Sequence, residues 1–378
     1  MHLHVICFDQ PYPPAYGGAV EMYYKLRELH AAGFKLILHI FLYNNAQQQE
    51  ETERLAEKTY YYRRKTGIMP NLSLKPYIVE SRRSTELLDN LCRDSHPILF
   101  EGLHTTFFLS HPRLAGRLKM VRTHNIEHTF YFYLGKNKPL SWRALFFIVE
   151  AAKLRIYERV LRHADRILAI SQADTDELSA RYPDHDVRLL QCFFDNKTDD
   201  SIAKSQHPLD EKPYILYHGN LAVSENHRAA EYIVRNIAMQ LPQYQFVIAG
   251  RQPASQLELV CHKADNVMLV SNPQHDYLQK LIHHAHINLM LTFQPTGIKL
   301  KLLTTLAKSA GYCIANNYML HGNKLGSLCC CADTAEQIIA AVDKLMQQPT
   351  CPDAVAQRQE QLRQLGFGDI SSIADGIG

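Results

Sequence analysis

The chain has no uninterrupted run of about 18 apolar residues, so the sequence predicts no membrane-spanning helix. It also lacks a basic segment and a small-residue cleavage site after Met1, so we expect no signal peptide. Its nine cysteines are an odd number, and residues 329–331 are three adjacent cysteines, which fits neither a disulfide framework nor CxxC zinc spacing. These absences favour a protein of the reducing cytoplasm.

The chain also has little net charge, and its +3 is too small to predict nucleic-acid binding. Hydrophobic residues make up 46% and charged residues 21% of the 378 residues, as in an ordinary globular protein. This length favours two domains, each large enough for its own core. The first half is mildly basic, and the second half is close to neutral.

Apolar runs alternate with helical patterns along the chain, which predicts parallel sheets covered by helices on both faces. The clearest helical patterns are Ala19–Leu29, closed by Gly33, and Trp142–His163. The predicted strands are His2–Phe8, Phe34–Tyr43, Tyr77–Val79, Ile98–Phe100, Lys119–Arg122, Ile167–Ile170, Tyr214–His218, Phe246–Gly250, Val267–Val270, Ile287–Leu291, Tyr312–Ala315 and Cys329–Cys331.

The polar residues 196–212 lack periodicity and are predicted to form a linker. The sequence therefore predicts two doubly wound domains, 1–195 and 213–351, with residues 352–378 folding back onto the first. Ligands of such sheets bind beyond the carboxyl ends of the strands, so we expect the site in a cleft between the two domains.

The most informative segment is Phe293–Asn316, where a helical pattern begins just after Gly297. Its first turn carries Lys299 and Lys301, although a helix N-terminus is positive and disfavours cations by roughly 0.3–1 kcal/mol. Free backbone N–H groups and two ammonium groups together describe a pocket for a phosphate or diphosphate. The alternative is two solvated lysines whose stems cover the helix, and the charges alone favour neither interpretation.

Four segments resemble the retaining glycosyltransferases of family 4, which have the two-Rossmann-domain GT-B fold. They follow the family order over nearly the whole chain: a glycine loop after the first strand, a strand end that bears a histidine, an "E…AD…S" stretch and a donor half. The segments are Pro11–Gly18, Arg122–Glu127, Glu158–Ser171, and Ala249–Pro253 with Thr296–Leu303.

The resemblance implies metal-independent transfer of a hexose from a UDP- or GDP-linked sugar, held mainly by the second domain, without a further cofactor. The acceptor would be a glycan or a lipid-linked saccharide of cell-surface glycan synthesis. His124 would lie beside the donor sugar, followed by Asn125 and Glu127 as polar groups able to orient its ring. The implied donor-binding residues are Gly17, Gly18, Gly219, Asn220, Gly250, Arg251, Thr296, Gly297, Lys299, Lys301 and Thr304.

Two departures from the family pattern concern the nucleotide. The two family glutamates fall on Thr296 and Thr304, and a threonine hydroxyl is shorter, neutral and a weaker partner for ribose hydroxyls. The basic residues after the first donor-domain strand fall near Asn220 and Glu225. Two alternatives therefore stay open: a transferase-like binding or partner subunit with a degraded donor site, and a nucleotide-sugar epimerase of the same fold.

Two further clusters are interpreted as structural. Asp174 and Asp176 lie in the first turn of a helix that Ser171 begins, which is a capping pattern rather than a metal site. Three histidines, His283, His284 and His286, lie where a helix gives way to a strand, without matching cysteine or carboxylate spacing. The sequence therefore predicts no metal.

The basic groups Arg63–Lys65 and Arg82–Arg83 are interpreted first as solvated loop charges. With Trp142, Phe146 and Phe147 they could instead contact an anionic membrane from the cytoplasm, at its inner face. Aromatic residues at that helical spacing usually belong to a core, so the sequence favours the core.

Overall fold

The computed structural model describes residues 1–44, 46–136, 141–196, 200–203, 205–209, 212–294, 299–351 and 353–377. It divides into two compact units, Met1–Phe194 with Gly366–Gly378, and Asp195–Leu365. Each unit contains one sheet whose strand pairs are parallel. The predicted α/β class is therefore confirmed.

The first unit has a seven-stranded sheet in the order β3-β2-β1-β4-β5-β6-β7. Its inner strands are almost continuously apolar because helices cover both faces. The strands are β1 His2–Cys7, β2 Lys35–Leu42, β3 Lys58–Arg63, β4 Ile98–Glu101, β5 Lys119–Arg122, β6 Arg166–Ala169 and β7 Asp186–Leu189. The helices are α1 Gly17–Ala31, α2 Glu50–Glu53, α3 Tyr77–Glu80, α4 Thr85–Leu91, α5 Glu127–Lys136, α6 Trp142–Tyr157 and α7 Gln172–Arg181.

The second unit has a six-stranded sheet in the order β10-β9-β8-β11-β12-β13. Its strands are β8 Tyr214–Asn220, β9 Gln245–Arg251, β10 Val267–Ser271, β11 Ile287–Met290, β12 Tyr312–Ala315 and β13 Cys330–Cys331. Its helices are α8 Asp200–Ala203, α9 Ser224–Asn236, α10 Ser255–His262, α11 His275–His284, α12 Leu300–Lys308, α13 Asn317–Leu320, α14 Ala335–Met346 and α15 Ala354–Gln364. A last helix, α16 Ser371–Ala374, belongs to the first unit. Within the described residues, every helix is too short or too polar to cross a bilayer.

One predicted strand is wrong, because Tyr77–Val79 begins the helix α3 instead. Pro76 precedes the helix, and the buried carboxylate of Glu150 accepts a hydrogen bond from the Tyr77 backbone N–H at 2.6 Å, which caps the first turn. A carboxylate 73 residues away supplies this cap, so the local apolar run does not reveal it. Two strands were missed, β3 and the half-buried edge strand β7, because their sequences are rich in polar groups.

The unit boundary also differs from the predicted one. Residues before Gly366 stay with the second unit, because α15 packs on α12 there. The guanidinium of Arg358 donates to the carbonyls of Leu306 and Gly311, at 2.9 and 3.0 Å. These bonds satisfy carbonyl groups at and just after the end of α12, and they hold α15 in the second unit. The segment that belongs to the first unit therefore begins only at Gly366.

The glycine of β9 allows close approach of two strands, because Gly250 lies directly opposite Gly219 of β8. A Cβ at Gly250 would lie 2.0 Å from the Gly219 carbonyl oxygen. We expect Gly250→Ala to destabilise the protein by at least the roughly 1–3 kcal/mol of ordinary overpacking. Denaturant unfolding measures this change. The control is Gly326→Ala, whose added methyl would meet nothing within 4 Å, and equal stability of the two variants would contradict the steric argument.

Candidate functional site

Both sheets reverse their strand order beside their first strand. In the first unit β1 lies between β2 and β4, and in the second β8 lies between β9 and β11. At such a switch point, the connections that follow the two neighbouring strands run to opposite sides of the sheet, which opens a crevice at the carboxyl ends of these strands. The predicted site residues can therefore be located in each unit relative to this crevice.

In the first unit, His124 lies two residues beyond β5, is 9% exposed and faces the end of β4. Its Nε2 is 3.0 Å from Oε2 of Glu101, and its ring meets Phe8 edge-on with centroids 5.1 Å apart. Its other nitrogen, Nδ1, makes no hydrogen bond to the described residues. The ring is thus oriented through one nitrogen and keeps the other available.

The group that orients His124 was missed by the sequence reasoning, which assigned this task to Asn125 and Glu127. Glu101 is the last residue of β4, and its carboxylate directly after the run Ile98–Phe100 was the available signal. Parallel strand ends meet at one edge of the sheet, so a carboxylate there can reach the histidine that follows the neighbouring strand. The assignment to Glu127 is therefore corrected to Glu101.

Glu101 belongs to a buried ion network that joins α1 to β4 and β5. Lys25 donates to Glu21 Oε2 at 2.7 Å and to Glu101 Oε2 at 2.8 Å, and Arg122 donates to Glu21 Oε1 at 2.6 and 2.8 Å. Two cations thus balance two carboxylates away from water. A buried network of this kind is costly to break, because removing one member leaves an unpaired charge.

The same network contains a cluster of metal-ligating groups, because atoms of Glu21, Glu101 and His124 lie within 4.8 Å of one another. However, the ammonium of Lys25 and the guanidinium of Arg122 already bind these two carboxylates. A divalent cation would add positive charge beside two buried cations. The cluster therefore does not fit a metal ion.

Near the same crevice, Arg82 is 4% exposed, which corrects its interpretation as a solvated loop charge. It donates to the carbonyls of Phe8 and Ile78, each at 2.7 Å, and no carboxylate of the described residues lies within ion-pair distance. Burial, reinforced by the nearby Arg64, lowers its pKa to about 9. Its hydrogen-bond partners are therefore backbone carbonyls, and the Asp9 carboxylate compensates its charge only in part. Arg63, Lys65 and Arg83 are exposed, as expected.

Glu127 lies beside His104 rather than His124, with its Oε1 4.0 Å from Nδ1 of His104. Burial, followed by repulsion from Glu158, raises the pKa of Glu127 to about 8. Nδ1 of His104 is buried and makes no hydrogen bond to any residue that the structure describes, and its ring stacks on Phe8 with centroids 4.7 Å apart. Glu127 is the first residue of α5, and the next backbone N–H, that of His128, donates to Glu158 Oε1 at 3.2 Å.

The glycine loop leads directly into α1, whose first residue is Gly17. Tyr16 precedes the helix without a side-chain cap and donates its hydroxyl to Asp9 at 2.8 Å. A Cβ on Gly18 would lie 2.8 Å from the Phe8 ring, so glycine allows the helix to begin against that ring. The start of α1 thus has neither a side-chain cap nor an acidic residue in its first turn.

In the second unit, the predicted residues Gly219 and Asn220 end β8, and Gly250 and Arg251 end β9. Asn226, in the first turn of α9, donates its amide to the Asn220 carbonyl at 3.0 Å and so fixes the loop between β8 and α9. The sequence reasoning missed Asn226, although a polar residue shortly after a strand-ending glycine was a signal for it. Because β8 lies between β9 and β11, Gly219 and Asn220 are at the switch point of the sheet, and Gly250 and Arg251 end the next strand.

Lys301 extends from α12 to this loop. Its Nζ donates to Asn226 Oδ1 at 3.1 Å and to the Tyr217 hydroxyl at 3.3 Å, and it lies 4.8 Å from the centroid of the Tyr217 ring. Among the described residues no carboxylate lies within ion-pair distance of it. Burial and then repulsion from Lys299, offset in part by Glu225, lower its pKa to about 8. Lys299 donates to the Gln294 carbonyl at 2.7 Å.

Helix α12 begins at Leu300, with Lys299 as an N-cap that makes no side-chain cap and with no acidic residue in the first turn. Glu225 instead accepts hydrogen bonds from the hydroxyl of Thr292 and the backbone N–H of Phe293, which stabilises the end of β11. The predicted residues Thr296 and Gly297 lie outside the described residues. Thr304 is half-buried on α12.

The neighbouring Thr305, rather than Thr304, contacts the end of β8. Its hydroxyl is 2.8 Å from Nε2 of the buried His218. Burial, with a contribution from Lys301, lowers the pKa of His218 to about 3, so this imidazole is neutral. His218 therefore adds a polar but uncharged group beneath Lys301, and the sequence reasoning did not assign it.

The two interpretations as structural residues agree with the positions found. Ser171 accepts the Asp174 backbone N–H at 3.1 Å as the N-cap of α7. His283 is 2.8 Å from the Lys308 carbonyl and His286 is 2.9 Å from the Leu345 carbonyl, so both rings are held by backbone groups.

Comparison with known proteins gives one curated relative and many solved structures. No family model matches the chain. Over 361 residues it is 21% identical to an uncharacterized 44.6 kDa protein in the cps region of Klebsiella pneumoniae, covering 90% of this chain and 88% of that protein. It is similar to sucrose-phosphate synthase from Thermosynechococcus elongatus, with a TM-score of 0.66, 15% identity and coverage of 100% and 97%. It is also similar to the E. coli trehalose-6-phosphate structure bound with UDP-2-fluoro glucose, with a TM-score of 0.63, 12% identity and coverage of 98% and 96%.

These similarities confirm the predicted GT-B fold class, with two Rossmann-like parallel-sheet domains. At such low identity, structural likeness shows the fold alone. Membership of family 4 is not shown by them and stays a prediction.

The unpaired charge of Lys301 yields a prediction about stability and pH. The pKa of Lys301 in the folded protein lies below the usual lysine value of 10.5, so its positive charge destabilises the folded state. This destabilisation is complete below about pH 8, decreases as the pH rises from 8 to 10.5, and is absent above pH 10.5. We therefore expect Lys301→Met to stabilise the ligand-free protein at pH 7 by about 1–2 kcal/mol, after allowance for its partial exposure and its lost hydrogen bonds. Urea unfolding at pH 7 and pH 10 measures this. A destabilised variant at pH 7 would contradict the cost assigned to the charge.

Proposed function

We propose that this protein is a glycosyltransferase that moves a hexose from a nucleotide-diphosphate sugar to a saccharide or lipid-linked acceptor. The observation that carries the proposal is Lys301, an ammonium group without a carboxylate partner in the described part of the chain, at the uncapped start of α12. Helix N–H groups and an unpaired cation favour a diphosphate, and they favour it more as leaving-group charge develops.

The donor would be linked to UDP or GDP, and its diphosphate would lie near Lys299, Lys301 and the ends of β8 and β9. The similar E. coli structure, which is bound with UDP-2-fluoro glucose, supports a nucleotide-sugar ligand for this fold. A UDP-linked donor is therefore the first to test. Gly219, Asn220, Gly250 and Arg251 would contact the nucleotide, and Thr304 would replace a glutamate toward the ribose. Thr296 and Gly297 stay predictions from the resemblance, as do Gly17 and Gly18 as backbone that approaches the phosphates.

Charge neutralisation by lysines and helix N–H groups would make the transfer independent of a divalent metal. A retaining outcome is proposed from the resemblance to family 4 alone. The buried carboxylates at Glu21 and Glu101 support this proposal, because Lys25 and Arg122 already neutralise them. The protein would work in the cytoplasm, and a lipid-linked acceptor of surface-glycan synthesis would place it at the inner face of the membrane.

A binding or partner subunit is the second candidate, and Thr304 favours it, because a neutral hydroxyl binds ribose less strongly than a carboxylate. Donor binding and turnover separate the candidates. A subunit with a degraded site would neither bind nucleotide sugars nor transfer their sugar.

A thermal-shift experiment in EDTA tests the donor site. We expect UDP-glucose or a GDP-hexose to raise the apparent melting temperature, because a ligand of the folded state stabilises it. Lys301→Met should weaken nucleoside-diphosphate binding by about 1–3 kcal/mol, the value of a charge-assisted hydrogen bond, and leave uridine or guanosine binding unchanged.

The matched control is Lys263→Met, which removes an exposed lysine after α10. It should bind both diphosphates and nucleosides as the wild type does. If Lys301→Met bound diphosphates with full affinity, or if no nucleotide sugar raised the melting temperature with or without Mg²⁺, the proposed donor site would be wrong.

A further prediction concerns His124. Its Nε2 donates to the Glu101 carboxylate, so we propose that its Nδ1 accepts a hydrogen bond from a hydroxyl of the donor sugar. His124→Ala should lower kcat by about 10–1000-fold, since a lost transition-state hydrogen bond costs about 1.4–4 kcal/mol. Its nucleotide affinity should stay close to that of the wild type. Turnover assays on the folded variant, checked by its unfolding transition, measure this, and full activity would remove His124 from the site.

A further inference from the structure

Helix α6 exposes an apolar stripe to solvent. Trp142, Leu145, Val149 and Ile156 lie at i, i+3, i+7 and i+14, on one side of the helix, and their exposed fractions are 88%, 51%, 46% and 67%. The opposite side is buried at Ala144, Glu150, Ala151 and Leu154. The prediction that these aromatic residues belong to the core is therefore wrong for Trp142 and Phe146, the latter being 38% exposed. Phe147 alone packs inward, 5.8 Å from the ring of Tyr131.

A loop next to α6 exposes a second apolar group. Ile68, Met69, Leu72 and Leu74 are 75%, 80%, 73% and 95% exposed. The loop is fixed to α6 by two bonds, from Lys153 Nζ to the Asn71 carbonyl at 3.1 Å and from the Tyr77 backbone N–H to the Glu150 carboxylate at 2.6 Å. We call the two groups together the apolar face, residues 68–74 and the exposed stripe of α6. A monomeric protein rarely exposes so many large apolar side chains together.

Basic residues outnumber acidic ones in the segments that form the apolar face, and the nearby Glu80, which accepts a hydrogen bond from Ser73, is itself paired with Arg83. Residues 63–79 contain four Lys or Arg and no Asp or Glu, and residues 128–149 contain three and none. The acids of α6 and of the turn after it, Glu150 and Glu158, are buried and paired with Lys153 and Arg181. The solvent-exposed charges include Arg63, Lys65, Arg143 and Arg155. The segments that carry the exposed apolar side chains thus also carry exposed cationic ones.

We propose that the apolar face inserts into the interfacial region of a membrane that carries anionic lipid headgroups. Apolar side chains of an amphipathic helix enter the headgroup boundary, while lysines and arginines at its edge bind anionic headgroups. A second copy of the chain would bring the like charges of Arg143 and Arg155 together, so the charge pattern favours lipid. This deepens the proposed function, because it names the surface from which a lipid-linked acceptor would be reached.

Trp142 is the only tryptophan in the chain, so its fluorescence reports directly on the apolar face. We expect its emission to shift to shorter wavelength when the full chain is mixed with vesicles of phosphatidylcholine and phosphatidylglycerol. Pure phosphatidylcholine vesicles should give a much weaker shift, and added salt should reduce binding, since each Lys or Arg near an anionic surface raises partitioning about fivefold.

Vesicle binding by substituted variants tests the proposal without relying on Trp142 fluorescence. Leu72→Ser with Leu74→Ser should lower the vesicle partition coefficient at least tenfold in co-sedimentation, because two exposed leucines no longer insert. The matched control is Met239→Ser with Leu259→Ser, two exposed apolar residues of the second unit, which should bind vesicles as the wild type does. The unfolding transition of each variant is measured alongside.

Three results would overturn the proposal. The first is an unchanged Trp142 emission with anionic vesicles. The second is full vesicle binding by the Leu72→Ser, Leu74→Ser variant. The third is a concentration-dependent dimer without lipid that already shifts the emission, which would assign the face to a second copy. None of these measurements requires sugar transfer, so failure here and failure of the proposed function are distinguishable.

Discussion

A parallel sheet buries both of its faces, and the carboxyl ends of its strands are where polar side chains can gather. In each unit of this protein the strand order reverses beside the first strand, so those ends open into a crevice at β1 and β4 and at β8 and β11. Glu101 reaches His124 because Glu101 ends β4 and His124 follows the neighbouring strand β5. Lys301 reaches Asn226 because α12 and α9 begin at the same edge of their sheet. The topology therefore determines which distant residues become neighbours.

The buried charges at the two crevices differ in how far they are neutralised by charges of opposite sign. In the first, Lys25 and Arg122 neutralise Glu21 and Glu101, and this balanced network orients His124 through one ring nitrogen. In the second, Lys301 has only neutral oxygens as partners among the described residues, and its pKa falls to about 8. A balanced network stabilises geometry, whereas an unbalanced cation favours any anion that can replace its lost hydration.

The sequence predicted what depends on local periodicity. β5 and β12 were placed residue for residue, and the two sheets follow from apolar runs alternating with helical patterns. It did not predict what depends on partners far along the chain. The cap that Glu150 provides for Tyr77, the burial of Arg82 against Phe8 and the role of Glu101 arise from contacts 73, 74 and 23 residues apart in the sequence. Periodicity also could not show which face of α6 is buried, because that helix is apolar on both sides.

Buried cations that have no carboxylate in contact among the described residues lower the stability of the ligand-free protein, and so do exposed apolar side chains. Arg82, Lys301 and the apolar face each carry such a cost, at three separate places. A fold selected for stability alone would pair these charges and cover the apolar stripe on α6. This protein does both elsewhere, since Lys25 is paired with Glu21 and the inner side of α6 is buried. At Lys301 the proposed diphosphate, and at the apolar face the proposed lipid surface, would remove that cost, because a ligand of the folded state stabilises it.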